Sequence, residues 1–171
     1  HRTIRPMKPT GTYLELMDQG ARLHAGGQPE RALVAFEQAL VLQPGDAQAA
    51  SACAAVLSGL GQTAAAWRIL QTARTQLLRH ADGAANLGIA AEDSGQAEEA
   101  RIAYARALEL DPNHLRALNN TALAAARAGD WETAITRLQR CRELAPAEPQ
   151  TWINLGDVLV AARRFPDAAT L

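Results

Sequence analysis

Aromatic residues are scarce in this chain of 171 residues: they make up 4% of it, although 48% of the residues are hydrophobic. A core with so few rings has to be built mainly from alanine and leucine. Small side chains of this kind suit helices that pack at short interaxial distance. The composition therefore favours a protein of closely packed helices.

Other features that the sequence lacks exclude whole classes of partner. The formal net charge is −1, and no basic stripe is present that would neutralise phosphates, so we expect no nucleic-acid partner. No apolar run approaches the roughly 20 residues of a membrane span. No signal-peptide pattern stands at the N-terminus.

Residues that carry chemistry are also few. The chain has two cysteines, Cys53 and Cys141, which fall on packing positions of different segments and are expected to be small buried hydrophobes. His80 and His114 share a turn position, but no Cys/His/carboxylate cluster completes a metal-ligand set. No acid, base and nucleophile come together. We expect no catalytic residue, no metal and no cofactor, and hence no enzyme activity in this chain by itself.

The main feature of the sequence is a repeat of 34 residues. Four positions recur at this period with small side chains, and Arg163 is the one exception. The columns are Ala32, Ala66, Ala100, Ala134 and Ala168; Ala39, Ala73, Ala107 and Cys141; Gly27, Gly61, Gly95, Gly129 and Arg163; and Gly20, Ala54, Gly88, Ala122 and Gly156. A period of this length predicts a solenoid of helix pairs.

Each repeat contains two helical patterns, called helix A and helix B, which are separated at the glycine column. Glycine closes helix A because it adopts the left-handed conformation without steric cost. Proline then ends helix B in three repeats, at Pro44, Pro112 and Pro146. The second repeat has Leu78 instead, so its helix B is expected to run on toward Arg79.

These residues resemble the motif of the tetratricopeptide repeat family. The third repeat matches best, and the fifth supplies the family's Trp, Leu-Gly and first helix-B Ala. The matching residues are Leu87, Gly88, Gly95, Ala100, Tyr104, Ala107 and Pro112, and then Trp152, Leu155, Gly156 and Ala168. The resemblance implies an all-α fold, a right-handed superhelix of antiparallel helix pairs.

The period divides the chain into a short leader and five repeats. Residues 1–12 are expected to be a linker or a remnant of expression, and the repeats are expected at 13–46, 47–80, 81–114, 115–148 and 149–171, the last one partial. We therefore expect a longer parent protein. The truncated end is predicted to leave Trp152, Leu155 and Leu159 incompletely covered and to permit self-association.

In the family, helices A line a concave surface, here called the inner groove. The predicted site residues on it are Asn86, Asn120, Asn154, Asn119, Arg116, Arg127, Asp82, Glu92, Asp93 and Asp157. The first three form a column 34 residues apart. A carboxamide both donates and accepts, so this ladder is able to pair with any peptide backbone, and Asn120, at its centre, is expected to contribute most. In the other interpretation, the asparagines bond to neighbouring repeats and orient helices.

Charge suggests which peptide fits. Asp18 and four of the predicted site acids face only two arginines in the groove, a balance of −3, which favours a neutral to mildly basic peptide. The sequence thus predicts a protein-interaction module that binds a peptide or helix. The alternative is a substrate-recruiting N-terminal region of a larger enzyme, because the ladder resembles the asparagine-lined superhelix of O-GlcNAc transferases. A carboxylate clamp is disfavoured, since Ala85 and Ile89 stand where it needs polar residues.

Overall fold

The computed structural model describes residues 9–163, and within this range it contains ten α-helices and no strand. The helices are α1 Tyr13–Ala25, α2 Pro29–Leu42, α3 Ala47–Gly59, α4 Thr63–Thr72, α5 Arg74–Leu77, α6 Ala81–Asp93, α7 Ala97–Leu110, α8 Leu115–Arg127, α9 Trp131–Leu144 and α10 Pro149–Ala161. Helices A are α1, α3, α6, α8 and α10. The first four each pack on the helix B that follows, α10 packs on α9, and successive pairs stack into an all-helical solenoid, as predicted. None of the described helices is both long and apolar enough to cross a membrane.

The helix ends lie where the sequence predicts them. Helices α2, α7 and α9 each end two residues before Pro44, Pro112 and Pro146, respectively. The glycines of the turn column have φ between 71° and 81°, the left-handed region that ends a helix. Arg163, the exception in this column, adopts the same conformation with φ 60°, so the turn keeps its shape there in spite of the side chain.

The contact between helix A and helix B of one repeat joins a small residue to a large one. Gly20 lies against Phe36 and Gly88 against Tyr104; a Cβ atom on Gly88 would be 2.6 Å from the Tyr104 ring. In the second and fourth repeats the sequence places Ala54 and Ala122 in the small column, with leucines, Leu70 and Leu138, in the large one. The ring thus requires glycine, whereas leucine leaves room for a methyl group.

The alanine columns on helices B are buried as predicted. Ala32, Ala66, Ala100 and Ala134 are at most 5% exposed, and Ala168 lies outside the described residues. Burial also raises the pKa of the Cys53 thiol to about 12 and that of Cys141 to about 11. Both cysteines therefore stay protonated and act as small hydrophobic residues.

The second helix B departs from the prediction. It does not run on toward Arg79, because α4 ends at Thr72, the chain turns at Ala73, and α5 ends at Leu77. The break brings Leu77 into the core, where it is 1% exposed. Its backbone comes so close to α6 that a Cβ atom on Gly83 would lie 2.5 Å from the Leu77 carbonyl oxygen. The bend thus accompanies the burial of Leu77 against a glycine of α6.

The expectation of an uncovered apolar end is wrong for two of its three residues. Leu155 and Leu159 are 1% and 3% exposed and pack with Ile135 of α9. Trp152 is half-buried; its indole nitrogen donates to the Pro146 carbonyl oxygen at 2.8 Å. The predicted second helix of the last repeat lies outside the described residues.

The core is interrupted between the third and fourth repeats. One buried cluster extends from α3 to α7, and another extends from α8 to α10. The cluster that reaches across from α7 takes only Ala117 from α8. We call the four contacts between consecutive repeats joints, numbered along the chain. At the third joint, between the α6/α7 and α8/α9 pairs, Ala117 is the one residue of the α8/α9 pair that a crossing buried cluster includes.

The matched columns of glycine and alanine yield a stability prediction. Gly88→Ala should lower the free energy of unfolding by roughly 1–3 kcal/mol, because the new methyl group overpacks against the Tyr104 ring. The double variant Gly88→Ala/Tyr104→Leu reproduces the Ala54/Leu70 pair and should recover much of that loss. Urea unfolding of the two variants and the parent protein measures both effects. If the double variant is less stable than Gly88→Ala alone, the proposed pairing is incorrect.

Candidate functional site

Three cavities follow one another along the surface formed by helices A. A cavity of about 210 Å³ lies between α3 and α6, one of about 570 Å³ lies between α6, α8 and the start of α10, and one of about 280 Å³ lies between α8 and α10. Nine of the ten predicted site residues line them, and Asp82 does not. These nine residues therefore lie along the surface formed by helices A, the inner groove.

Two asparagines of the predicted ladder form hydrogen bonds with side chains of an adjacent repeat. The Asn86 side-chain oxygen accepts from Arg116 Nη1 at 2.9 Å. Asn120 Nδ2 donates to the Tyr104 hydroxyl at 3.0 Å. Within residues 9–163, the Asn86 amide nitrogen has no acceptor. Asn86, rather than the central Asn120, thus keeps the most hydrogen-bonding capacity for a ligand.

The third asparagine is a structural link between two A helices. Asn154 is 9% exposed, its Nδ2 donates to Asn119 Oδ1 at 2.8 Å, and its Oδ1 accepts from Gln150 Nε2 at 2.8 Å. Its one oxygen and one of its N–H groups are thus occupied inside the protein. For Asn154, this arrangement matches the interpretation in which the column orients neighbouring repeats.

Both groove arginines are paired with carboxylates. Arg116 Nη2 lies 3.0 Å from Asp82 Oδ1, and Arg127 pairs with Glu92. The Tyr104 hydroxyl donates to the other Glu92 oxygen at 3.0 Å. Burial and the neighbouring Glu92 charge raise the pKa of Tyr104, so the phenol remains a donor at neutral pH.

Several carboxylates along the groove have no such partner. Within residues 9–163, no ion pair involves Asp93, Glu148 or Asp157. Asp93 lines two of the three cavities, whereas Glu148 and Asp157 each line one. The groove therefore presents unneutralised negative charge along its length.

His114 has a role that the sequence analysis did not assign. It is 9% exposed, and its Nδ1 accepts from the Ala117 backbone N–H at 3.3 Å, which caps α8. Because Nδ1 is the acceptor, Nε2 carries the proton and donates to Asp82 Oδ1 at 3.1 Å. Asp82 thus ties α6 to the start of α8 through His114 and Arg116.

Sequence reasoning also missed residues that complete the central cavity. Tyr104, assigned to packing alone, contributes its hydroxyl, while Leu115, Ala145 and Glu148 come from the ends of helices. Tyr104 carries the only polar atom in the column of Phe36, Leu70 and Leu138, and this was the available signal. The contributions of the other three residues depend on how α10 packs relative to α8.

Comparisons with known proteins agree with this architecture. A family model described as tetratricopeptide repeat matches residues 85–149 and 119–171, together more than half of the chain. No curated protein sequence matches this chain.

Solved structures share the fold at low sequence identity. MamA is 18% identical, with a TM-score of 0.78 over 92% of this chain and 86% of that one. YrrB, described as a TPR protein with an unusual peptide-binding site, is 20% identical, with a TM-score of 0.72 over 91% and 80%. PilF of Pseudomonas aeruginosa is 22% identical, with a TM-score of 0.79 over 92% and 72%. At these identities the likeness concerns the fold alone.

The position of Asp82 predicts a pH-dependent contribution to stability. The hydrogen bond from His114, and then that from Arg116, hold the pKa of Asp82 below its ordinary value of 3.8. A carboxyl whose pKa is lowered by folding stabilises the protein fully above its unfolded-state pKa, and this contribution is lost as the pH falls through the folded-state pKa. Asp82→Asn should thus lower Tm by roughly 1–3 °C at about pH 7, and the difference should shrink from about pH 4 downward.

Asp18→Asn is the matched control, because Asp18 pairs with Arg22 at 2.9 Å inside the single helix α1. Thermal unfolding followed by circular dichroism across the acid range measures both variants. A loss of Tm in Asp82→Asn that is the same at every pH would contradict the role given to its charge.

Proposed function

This chain belongs to the tetratricopeptide repeat family, and from that premise we propose that it holds a peptide or helix of a partner protein in the inner groove. Repeats of this family generally serve protein interaction rather than catalysis. The proposal is supported by the three consecutive cavities lined by helices A. The peptide-binding site ascribed to the structural neighbour YrrB supports a ligand of this kind.

The charges of the groove support a neutral to mildly basic ligand. Because Arg116 and Arg127 are already paired, neither has a free charge for an acidic peptide. The unpaired carboxylates of Asp93, Glu148 and Asp157 instead favour lysine or arginine side chains. This is the single observation that most directly supports the proposed class of ligand.

The asparagines take different parts in this proposal. Asn86 is placed to donate to a peptide carbonyl group, because its amide hydrogens lack an acceptor in the described part of the chain. Asn154 keeps α8 and α10 in register through its bond to Asn119. The alternative function, recruitment of substrates to an attached glycosyltransferase, depends on a free ladder of three. The internal bonds favour the simple interaction module instead.

Removing a groove carboxylate should weaken a basic ligand. We expect Asp93→Asn to reduce the affinity of a lysine-containing peptide selected from a random array by about three- to tenfold, since one charge-assisted contact is lost at a partly solvated site. The salt dependence of binding should become shallower. Calorimetric titration at two ionic strengths measures both quantities.

Glu132→Gln is the matched control, because it removes an exposed carboxylate in the first turn of α9, outside the three cavities. Its affinity should equal that of the parent protein. Equal losses of affinity in the two variants would mean that the effect of Asp93→Asn comes from the net charge of the protein and not from a contact in the groove. Selection of acidic rather than basic peptides would refute the proposed ligand class.

Asn86→Ala tests the polar contact separately. Loss of one hydrogen bond to a peptide carbonyl group should weaken binding by about two- to tenfold. Asn154→Ala should instead lower thermal stability, because it removes the hydrogen bond from Asn154 to Asn119 that joins α10 to α8. Unchanged affinity in Asn86→Ala, with full helicity, would assign that asparagine to the orientation of helices.

A further inference from the structure

A crevice larger than each of the three groove cavities lies at the third joint, away from most of the groove residues. It has a volume of about 750 Å³ and opens between α7, the end of α8 and α9. Six alanines line it: Ala97, Ala100, Ala105, Ala124, Ala125 and Ala128. We call it the third-joint crevice. Its size is in the range of sites that bind small molecules or a single large side chain.

One column of the repeat explains why this crevice is open. Its members are Leu33, Trp67, Arg101 and Ile135. Leu33 and Trp67 pack against buried clusters, and Ile135 is 4% exposed. The Arg101 side chain is 68% exposed and pairs with Glu98 of its own helix. At the third joint, therefore, no apolar side chain from this position enters the space between the repeats.

The facing wall does not compensate for that loss. Two residues of the next helix A form this wall at each joint, and they are Val56 and Leu57, Ala90 and Ala91, Ala124 and Ala125, and Val158 and Leu159. The first and fourth joints combine large residues on both walls. The second combines the alanine wall with Trp67, which packs against the clusters containing both alanines. Only the third joint combines an alanine wall with an arginine.

The second joint thus shows which side chain covers an alanine wall in this fold. Trp67 lies there as a half-buried indole, and the third joint offers the same pair of alanines without it. A flat aromatic ring makes extensive contact with small side chains and presents few polar atoms that need a partner. The missing element is therefore an aromatic side chain.

Charge around the crevice indicates how this side chain is presented. Three arginines, Arg101, Arg127 and Arg137, line the crevice together with two acids, Glu92 and Asp130. Arg137 has no ion pair in the described range, and its Nη1 donates to the Thr121 carbonyl oxygen at 3.3 Å. Arg101 and Arg127 are already paired with Glu98 and Glu92, so Arg137 is the lining arginine that is left to meet a carboxylate next to the aromatic residue.

We propose that the third-joint crevice is a second docking site, which takes one aromatic side chain of a partner protein with a carboxylate beside it. The ring covers Ala124 and Ala125 in the way that Trp67 packs at the second joint, and the neighbouring carboxylate meets Arg137. This site does not depend on the ligand proposed for the inner groove.

The test uses a defined probe, the peptide acetyl-Glu-Glu-Trp-Glu-Glu-amide, titrated into protein whose alanine methyl groups carry carbon-13. Saturable shifts are expected at the methyl groups of Ala105, Ala124 and Ala125. A peptide with lysine in place of glutamate should bind roughly tenfold more weakly. The variant R101W should abolish the shifts, because its own indole fills the crevice, and should raise Tm by a few degrees.

Control variants separate the possible outcomes. Ala125→Leu fills the crevice from the other wall and serves if R101W does not fold, and Asp93→Asn, in the inner groove, should leave the shifts unchanged. The absence of saturable shifts, shifts that persist in either filled variant, or equal binding of the lysine peptide would overturn the proposal. Shifts that depend on protein concentration alone would assign the crevice to a second copy of the chain and overturn it as well.

Discussion

The close approach of helix A to helix B within each repeat is the constraint on which the rest of the structure depends. Two helices come this near only where one of them has almost no side chain. Glycine therefore faces Phe36 and Tyr104, and alanine takes its place in repeats whose large column holds leucine. Because these pairs recur every 34 residues, each repeat has the same internal geometry. The helices A of successive repeats are therefore aligned, and together their surface forms the inner groove.

Much of this was predictable from the sequence because it depends on periodic residues. The glycine column predicted the breaks, and the alanine columns predicted burial of Ala32 and Ala134. The bend at Ala73 was not predictable, since it accompanies the burial of Leu77 against Gly83 and not a local signal. Placement in the groove followed from the family resemblance together with the period, but the hydrogen bonds of Asn120 and Asn154 depend on side-chain geometry between repeats, which a period does not specify.

The inner groove and the third-joint crevice share a wall. Glu92 lies between them, held by Arg127 on one oxygen and by the Tyr104 hydroxyl on the other. Tyr104 and Glu92 line the central groove cavity as well as the crevice. Because one buried phenol and one ion pair separate the two surfaces, a ligand on either side would contact groups that also shape the other. Any coupling between binding at the two surfaces would act through Glu92, Arg127 and Tyr104.

The interrupted core also divides the protein mechanically. On one side of the third joint, apolar clusters bind α3 to α7 into one block, and on the other side they bind α8 to α10. Between them, alanine contacts and polar bonds such as Asp82–Arg116 carry the connection. An alanine contact buries less apolar surface than interdigitated leucines do, so it costs less free energy to open. Under tension applied at its two ends, the solenoid would therefore separate first at this joint, while the blocks on either side stay folded.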